Sequence, residues 1–269
     1  MDNELVIKIK KTRIDNLYEE IRRAINKTSS EELKSWGKES GILFLKLAGR
    51  RAKGLLNAIE GFIKFTASET FNTIKAIQQN NLKTHIINRG NTAKGNIVKL
   101  SESSFNFLKI IISNLFSNPK EYAPKLFVVF IGFLIGSGGF DGDGGIPDTD
   151  LKVGIGRHRS IFTHSLLPAL IIETVAFSLV GLVNIVHKNL PKNHDPFWDK
   201  LKLKNKELTT GFVGGTCAGI AYHLLVDMNP TADAIKPYSD LPFSTTMEGH
   251  QAIFGANAMV EIVDLKKKG

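Results

Sequence analysis

Three apolar segments constrain this chain most: residues 126–140, 165–187 and 208–227. Segment 165–187 (SLLPALIIETVAFSLVGLVNIVH) is long enough to cross a bilayer although Glu173 lies inside it, whereas the first is short and the third only modestly apolar. Apolar segments joined by short connections pack as antiparallel neighbours. The expected fold is therefore all-α, an antiparallel helical bundle associated with a membrane. Gly132-x-x-x-Gly136 and Gly215-x-x-x-Gly219 would let two helices approach closely in lipid or in a protein core.

Before these segments runs a basic extension. Of the 35 Lys and Arg, 22 lie in residues 1–125 against 12 Asp and Glu, and the remainder is close to neutral. Ile14, Leu17, Ile21 and Ile25 form one helical stripe, and Ser29-x-x-Glu32 reads as a capping box that starts the next helix. From Gly41 to about Gln79 apolar residues recur at helical spacing with Lys46, Arg50, Arg51, Lys53 and Lys64 between them. Such a helix either lies on an anionic membrane surface or packs on its own domain with a solvated basic face. Polar, Gly-punctuated residues 80–96 suggest a loop, followed by a helix over 97–117 that stops before Asn118-Pro119. The composition changes at Lys125, which divides the chain into a basic helical segment, 1–125, and a second domain, 126–269. No secretory signal peptide is expected, because residues 1–13 alternate Lys with Val and Ile. Cys217 stands alone, so it reads as a small buried hydrophobe, and any metal falls to His and carboxylate ligands.

Chemistry concentrates between and at the ends of the apolar segments. Asp141, Asp143, Asp148, Asp150, His158, Arg159 and His164 fall within 24 residues, and His223-x-x-x-Asp227 places two further ligand types one turn apart on a helix. Antiparallel packing brings Asp148, Asp150, His158, His164, His223 and Asp227 to one end of the bundle. That set suits a divalent metal, zinc first, with manganese or magnesium also compatible, and an open position would yield hydroxide near neutral pH. With two ions, Asp148 or Asp150 could bridge them. Arg159 would stabilise negative charge on a phosphoryl or acyl oxygen, or else pair with a nearby aspartate. Asp141 and Asp143 are turn formers or support the ligands. They do not begin a calcium loop, since Gly145 and Ile146 occupy positions that such a loop reserves for an acidic ligand and a glycine.

The order Pro147-Asp148-x-Asp150, His158-Arg159, Thr163-His164-Ser165 and His223-Leu224-x-x-Asp227 resembles the bacterial family of predicted membrane-bound metal-dependent hydrolases, also described as LexA-regulated and inner-membrane-associated. The match spans about residues 136–230. The resemblance implies a helical protein of the bacterial inner membrane with a metal site similar to that of zinc phospholipases. Members begin near the first apolar segment with a histidine close to their start; here the basic extension precedes it, and the only upstream histidine is His85.

Beyond Asp227, a proline-punctuated loop could bring Lys236, Tyr238 and Asp240 to the mouth of the site. His250, Asn257 and Glu261 share a face of a final helix, with His250 an exposed or capping residue, a further ligand or a proton shuttle. His187 and His194 lie at the other end beside the Lys-rich loop 188–206, and no catalytic role is read for them. If the segments span a membrane, that loop and the basic half stay cytoplasmic and the metal end faces outwards. The expected partners are a lipid surface and a phosphate-containing small molecule or lipid. Three functions compete: a phosphodiester- or phospholipid-directed hydrolase, a non-catalytic membrane-associated binding or effector protein whose Asp/His cluster is structural, and a nuclease using the basic half. A soluble cytoplasmic protein is the alternative location. For nucleic acid, aromatic residues are not interleaved with the basic ones as a single-strand platform requires.

Overall fold

A computed structural model describes residues 3–140, 144–153, 159–228, 238–242 and 244–266. Among them the chain is all-α, with no strand. Helices α1 (Asn3–Lys27), α2 (Ser30–Gln78), α3 (Leu82–Ser117) and α4 (Pro119–Ser137) precede a 3-10 turn at Pro147–Val153. Helices α5 (Leu167–Lys188), α6 (Phe197–Asp227) and α7 (Met247–Lys266) follow.

Two compact units emerge: Met1–Ala52 together with Val128–Gly269, and Lys53–Phe127. In the first, α6 is central and packs against α5 and α7. Its residues Val213, Cys217, Ile220, Ala221 and Leu224 recur at helical spacing as one fully buried stripe, closed over by Ala169, Phe254, Ala258 and Tyr238. Cys217 is indeed buried and outside any disulfide.

The small-residue motifs face each other. A Cβ added at Gly132 or Gly136 of α4 would meet the carbonyl oxygen of Phe212 or Thr216 of α6, and one at Gly215 or Gly219 would meet that of Val129 or Phe133. Backbone therefore lies against backbone along this crossing. Any side chain there would drive the helices apart.

The division of the chain differs from the one expected at residue 125: residues 1–52 pack with the second half. Long-range polar contacts explain why. The Arg51 guanidinium is 2% exposed and donates to Glu173 of α5 at 2.7 Å and to Glu261 of α7 at 2.9 Å, while Arg50 donates to the other Glu173 oxygen at 3.0 Å. The Trp36 indole N–H donates to the Ser178 carbonyl at 2.7 Å. Buried charge is tolerated here because each carboxylate meets a guanidinium. Helix α5 is accordingly inverted: it buries Glu173 and exposes Ile171, Val175 and Leu179 at 52%, 53% and 51%. It is also the one helix among the described residues that is long and apolar enough to cross a membrane.

The expected capping box forms as drawn, the Ser29 N–H donating to Glu32 Oε2 at 3.0 Å and the Glu32 N–H to Ser29 Oγ at 3.1 Å. In the second unit the loop expected over 80–96 is helical: α3 starts at Leu82, and the connection shrinks to a turn in which Asn80 takes a left-handed φ of 55°. Helical hydrogen bonding tolerates the isolated Gly90 and Gly95 at a cost of about 1 kcal/mol each relative to alanine.

Candidate metal centre

Three elements deliver ligand-type side chains to one end of the first unit. Asp148 and Asp150 come from the 3-10 turn after α4, His164 from the turn before α5, and His223 and Asp227 from the last turns of α6. Asp148, His164 and His223 are buried and make a cluster that could hold a metal ion.

The fourth member is Asp227. His164 Nε2 lies 3.6 Å from Asp148 Oδ1 and 3.2 Å from Asp227 Oδ2; His223 Nε2 lies 3.6 Å and 3.5 Å from the same two oxygens. A tetrahedral shell with bonds of about 2.0–2.1 Å separates its ligand atoms by about 3.3–3.4 Å. These spacings match that shell. The imidazole rings stand edge to face with centroids 5.3 Å apart.

The rings' other nitrogens fix what these atoms can do. His223 Nδ1 faces the Ser137 carbonyl at 3.3 Å, and a carbonyl only accepts, so Nδ1 carries the hydrogen. His164 Nδ1 faces Asp150 Oδ2 at 3.2 Å. Neutral imidazoles so oriented aim the lone pair of each Nε2 at carboxylate oxygens. Four electron-rich atoms then converge, and a cation among them satisfies all four. The Nε2 of His223 and the Oδ2 of Asp227 are both buried without a hydrogen bond. A proton on one Nε2 relieves the same repulsion. Burial pushes the His164 pKa down, but hydrogen bonds and charge from Asp148, Asp227 and Asp150 outweigh it and the pKa is raised. Burial likewise pushes Asp227 up, yet the neighbouring imidazoles of His164 and His223 and the charge of Arg159 hold its carboxyl well below the usual carboxylate range.

Around the four atoms lies a supporting layer. The Gly144 N–H donates to Asp148 Oδ2, which turns Oδ1 inward. Asp150 occupies a different place from the bridging one expected: its Oδ2 accepts from the Ser160 N–H at 2.9 Å and Thr163 Oγ1 at 2.6 Å, and faces the Nδ1 side of His164. Its Oδ2 is thus committed to holding a ligand, the carboxylate–histidine arrangement that orients metal sites. Asp240 accepts from Ser160 Oγ at 2.8 Å and the Ile161 N–H at 3.0 Å, and so fastens the turn ahead of His164. Arg159 adopts a left-handed φ of 65° and puts Nη2 3.3 Å from Asp227 Oδ1, so it does have an aspartate partner, on the oxygen turned away from the cluster.

His250 is neither exposed nor among the four atoms. It is fully buried, stacks on Phe254, and donates from Nε2 to the Asp227 carbonyl at 3.0 Å, closing the end of α6. Burial is the largest influence on it and lowers its pKa. Tyr238 is buried against Phe254 and bonds Asn257, so it belongs to the core rather than to a mouth. Glu261 faces Arg51, away from the cluster. Asp141, Asp143, His158 and Lys236 lie outside the described residues.

Sequence reasoning missed the roles of Ser137 and Gly144, since backbone groups leave no chemical signature in a side-chain pattern. No family model, curated protein or solved structure matches this chain.

Proposed function

We propose that the chain is a membrane-associated, metal-dependent hydrolase of a phosphodiester or phospholipid-type substrate. The observation that carries this reading is the convergence of His164 Nε2, His223 Nε2, Asp148 Oδ1 and Asp227 Oδ2 at ligand-shell spacing. A divalent ion held there, zinc or alternatively manganese or magnesium, would supply Lewis acidity and hydroxide near neutral pH. The chain's own residues supply the rest. Asp150 and the Ser137 carbonyl fix the histidine tautomers, which keeps both Nε2 atoms available as ligands. Arg159, half a salt bridge away on Asp227, carries the positive charge that would meet a phosphoryl oxygen, exchanging one anionic partner for another. The motif order that resembles the inner-membrane hydrolases and the exposed apolar stripe of α5 support a membrane-proximal substrate.

A second reading has its own observation. Four protein atoms can complete a tetrahedral shell, and shells closed by protein are the mark of structural sites, whereas catalytic ones keep a position for water. In that case the cluster staples α5 to α6 in a binding or effector protein.

One experiment separates the two. Metal-loaded full chain is assayed for release of p-nitrophenol from bis-(p-nitrophenyl) phosphate and of headgroup from phospholipid vesicles, beside Arg159→Ala. The hydrolase reading expects turnover that follows metal content and falls by about 10²–10³-fold in Arg159→Ala, with metal content kept. Loaded protein that cleaves neither substrate, and whose melting temperature falls on chelation in wild type but falls less in Asp148→Ala, establishes the structural staple instead.

A further inference from the structure

At the opposite end of α5 and α6 stands a second, more exposed His/Asp cluster. His187 in the last turn of α5, His194 in the connecting loop and Asp199 in the first turn of α6 bring three ligand atoms within 4.8 Å of one another. Both imidazoles aim Nε2 at one oxygen: His187 at 2.8 Å and His194 at 3.1 Å from Asp199 Oδ1. The rings stand edge to face with centroids 5.3 Å apart, the same separation as His164 and His223.

The tautomer argument applies here as well. His194 Nδ1 lies 2.8 Å from the Pro191 carbonyl oxygen, so it carries a hydrogen, and the neutral ring presents its Nε2 lone pair to a carboxylate. Two electron-rich atoms at 3.1 Å repel unless a proton or a cation lies between them. A backbone carbonyl behind a histidine is also how metal-binding imidazoles are held in place. Asp199 is 62% exposed, which leaves an entry path and room for water in the remaining positions.

We propose that His187, His194 and Asp199 form a second divalent-cation site, one for zinc by its nitrogen and oxygen donors, which clips the end of α5 to the start of α6 across loop 189–196. Its three ligands are contributed within 13 residues, so it closes a short loop and needs no distant element. It stands independently of the hydrolase reading.

The test is calorimetric titration of the chelator-stripped full chain with zinc chloride, comparing wild type with His194→Ala, Asp199→Asn and, separately, Asp148→Ala. His194→Ala and Asp199→Asn are each expected to bind one zinc fewer than wild type, and to lose the part of the zinc-induced melting shift that wild type gains from this site. Asp148→Ala is expected to keep this equivalent. Circular dichroism checks that the partly exposed substitutions leave helicity intact, and having two variants guards against one that fails to fold. Unchanged stoichiometry in both His194→Ala and Asp199→Asn overturns the proposal. A wild type that binds one zinc, lost in these variants, would sustain the clip while counting against the buried centre.

Discussion

Asp150 and Asp227 show how one residue type takes two jobs in a single cluster. Asp227 points Oδ2 at both imidazoles, whereas Asp150 reaches only the far nitrogen of His164 and is pinned by Ser160 and Thr163. Asp150→Asn should therefore leave the fold and the ligand set in place while weakening divalent-metal affinity by about 10–100-fold, as measured by competition with a chromogenic chelator. Equal affinity in the variant would show that the carboxylate does not orient His164. Asp148, His164, His223 and Asp227 were legible as candidates in the sequence, but these roles were not. Asp148-x-Asp150 gives two equivalent-looking acids, and only the path of the turn decides which oxygen meets which nitrogen. The burial of His250 was illegible for the same reason, because it depends on how α7 packs against α6.

At the scale of helices, the crossing of α4 and α6 is the part of the fold most directly written in the chain, since the two small-residue motifs fix both partners and register. Gly215→Ala should lower stability by about 1–3 kcal/mol, read as a fall in melting temperature, because its methyl group has only the Val129 carbonyl to occupy. An unchanged melting temperature would mean that the helices are not in backbone contact. The start of α2 gives a pH prediction. Glu32 is lowered from 4.5 to about 2, first by the Lys188 ammonium and then by the Ser29 N–H, so its charged form is the one the fold favours. Its contribution is present above the unfolded value and lost as pH falls from about 4.5 towards 2. Glu32→Gln should remove that part of the acid sensitivity of melting temperature, and a variant with the same acid profile as wild type would contradict the assignment. The helix from Leu82 through residue 96 was not legible, because polar residues and glycine mark a loop only when no neighbouring helix continues through them.

For the whole molecule, two sequence signals ran in different directions. The apolar length of α5 was plain, and its inverted arrangement, Glu173 inward and Ile171, Val175 and Leu179 outward, shows the face that water would not favour. The placement of residues 1–52 was hidden, because Arg51 meets its two carboxylates across 122 and 210 positions, and no local pattern reports such pairs. If α5 turns its exposed stripe to lipid, the chain should stay with the membrane fraction after carbonate extraction, and Val175→Lys with Leu179→Lys should shift it to the soluble fraction. Full release of the unaltered chain by carbonate would assign the stripe to a protein partner instead.

The central claim is that the buried cluster holds a divalent ion. Its most direct test is metal content by plasma mass spectrometry on full-length wild type, His164→Ala and Asp227→Ala, each checked for helicity by circular dichroism and each carrying Asp199→Asn so that only the buried centre is counted. The account predicts one equivalent of zinc or manganese in the Asp199→Asn parent and none in either cluster variant, with helicity retained. A parent that carries no metal, even after reconstitution, would contradict it and leave a cluster held together by protons alone.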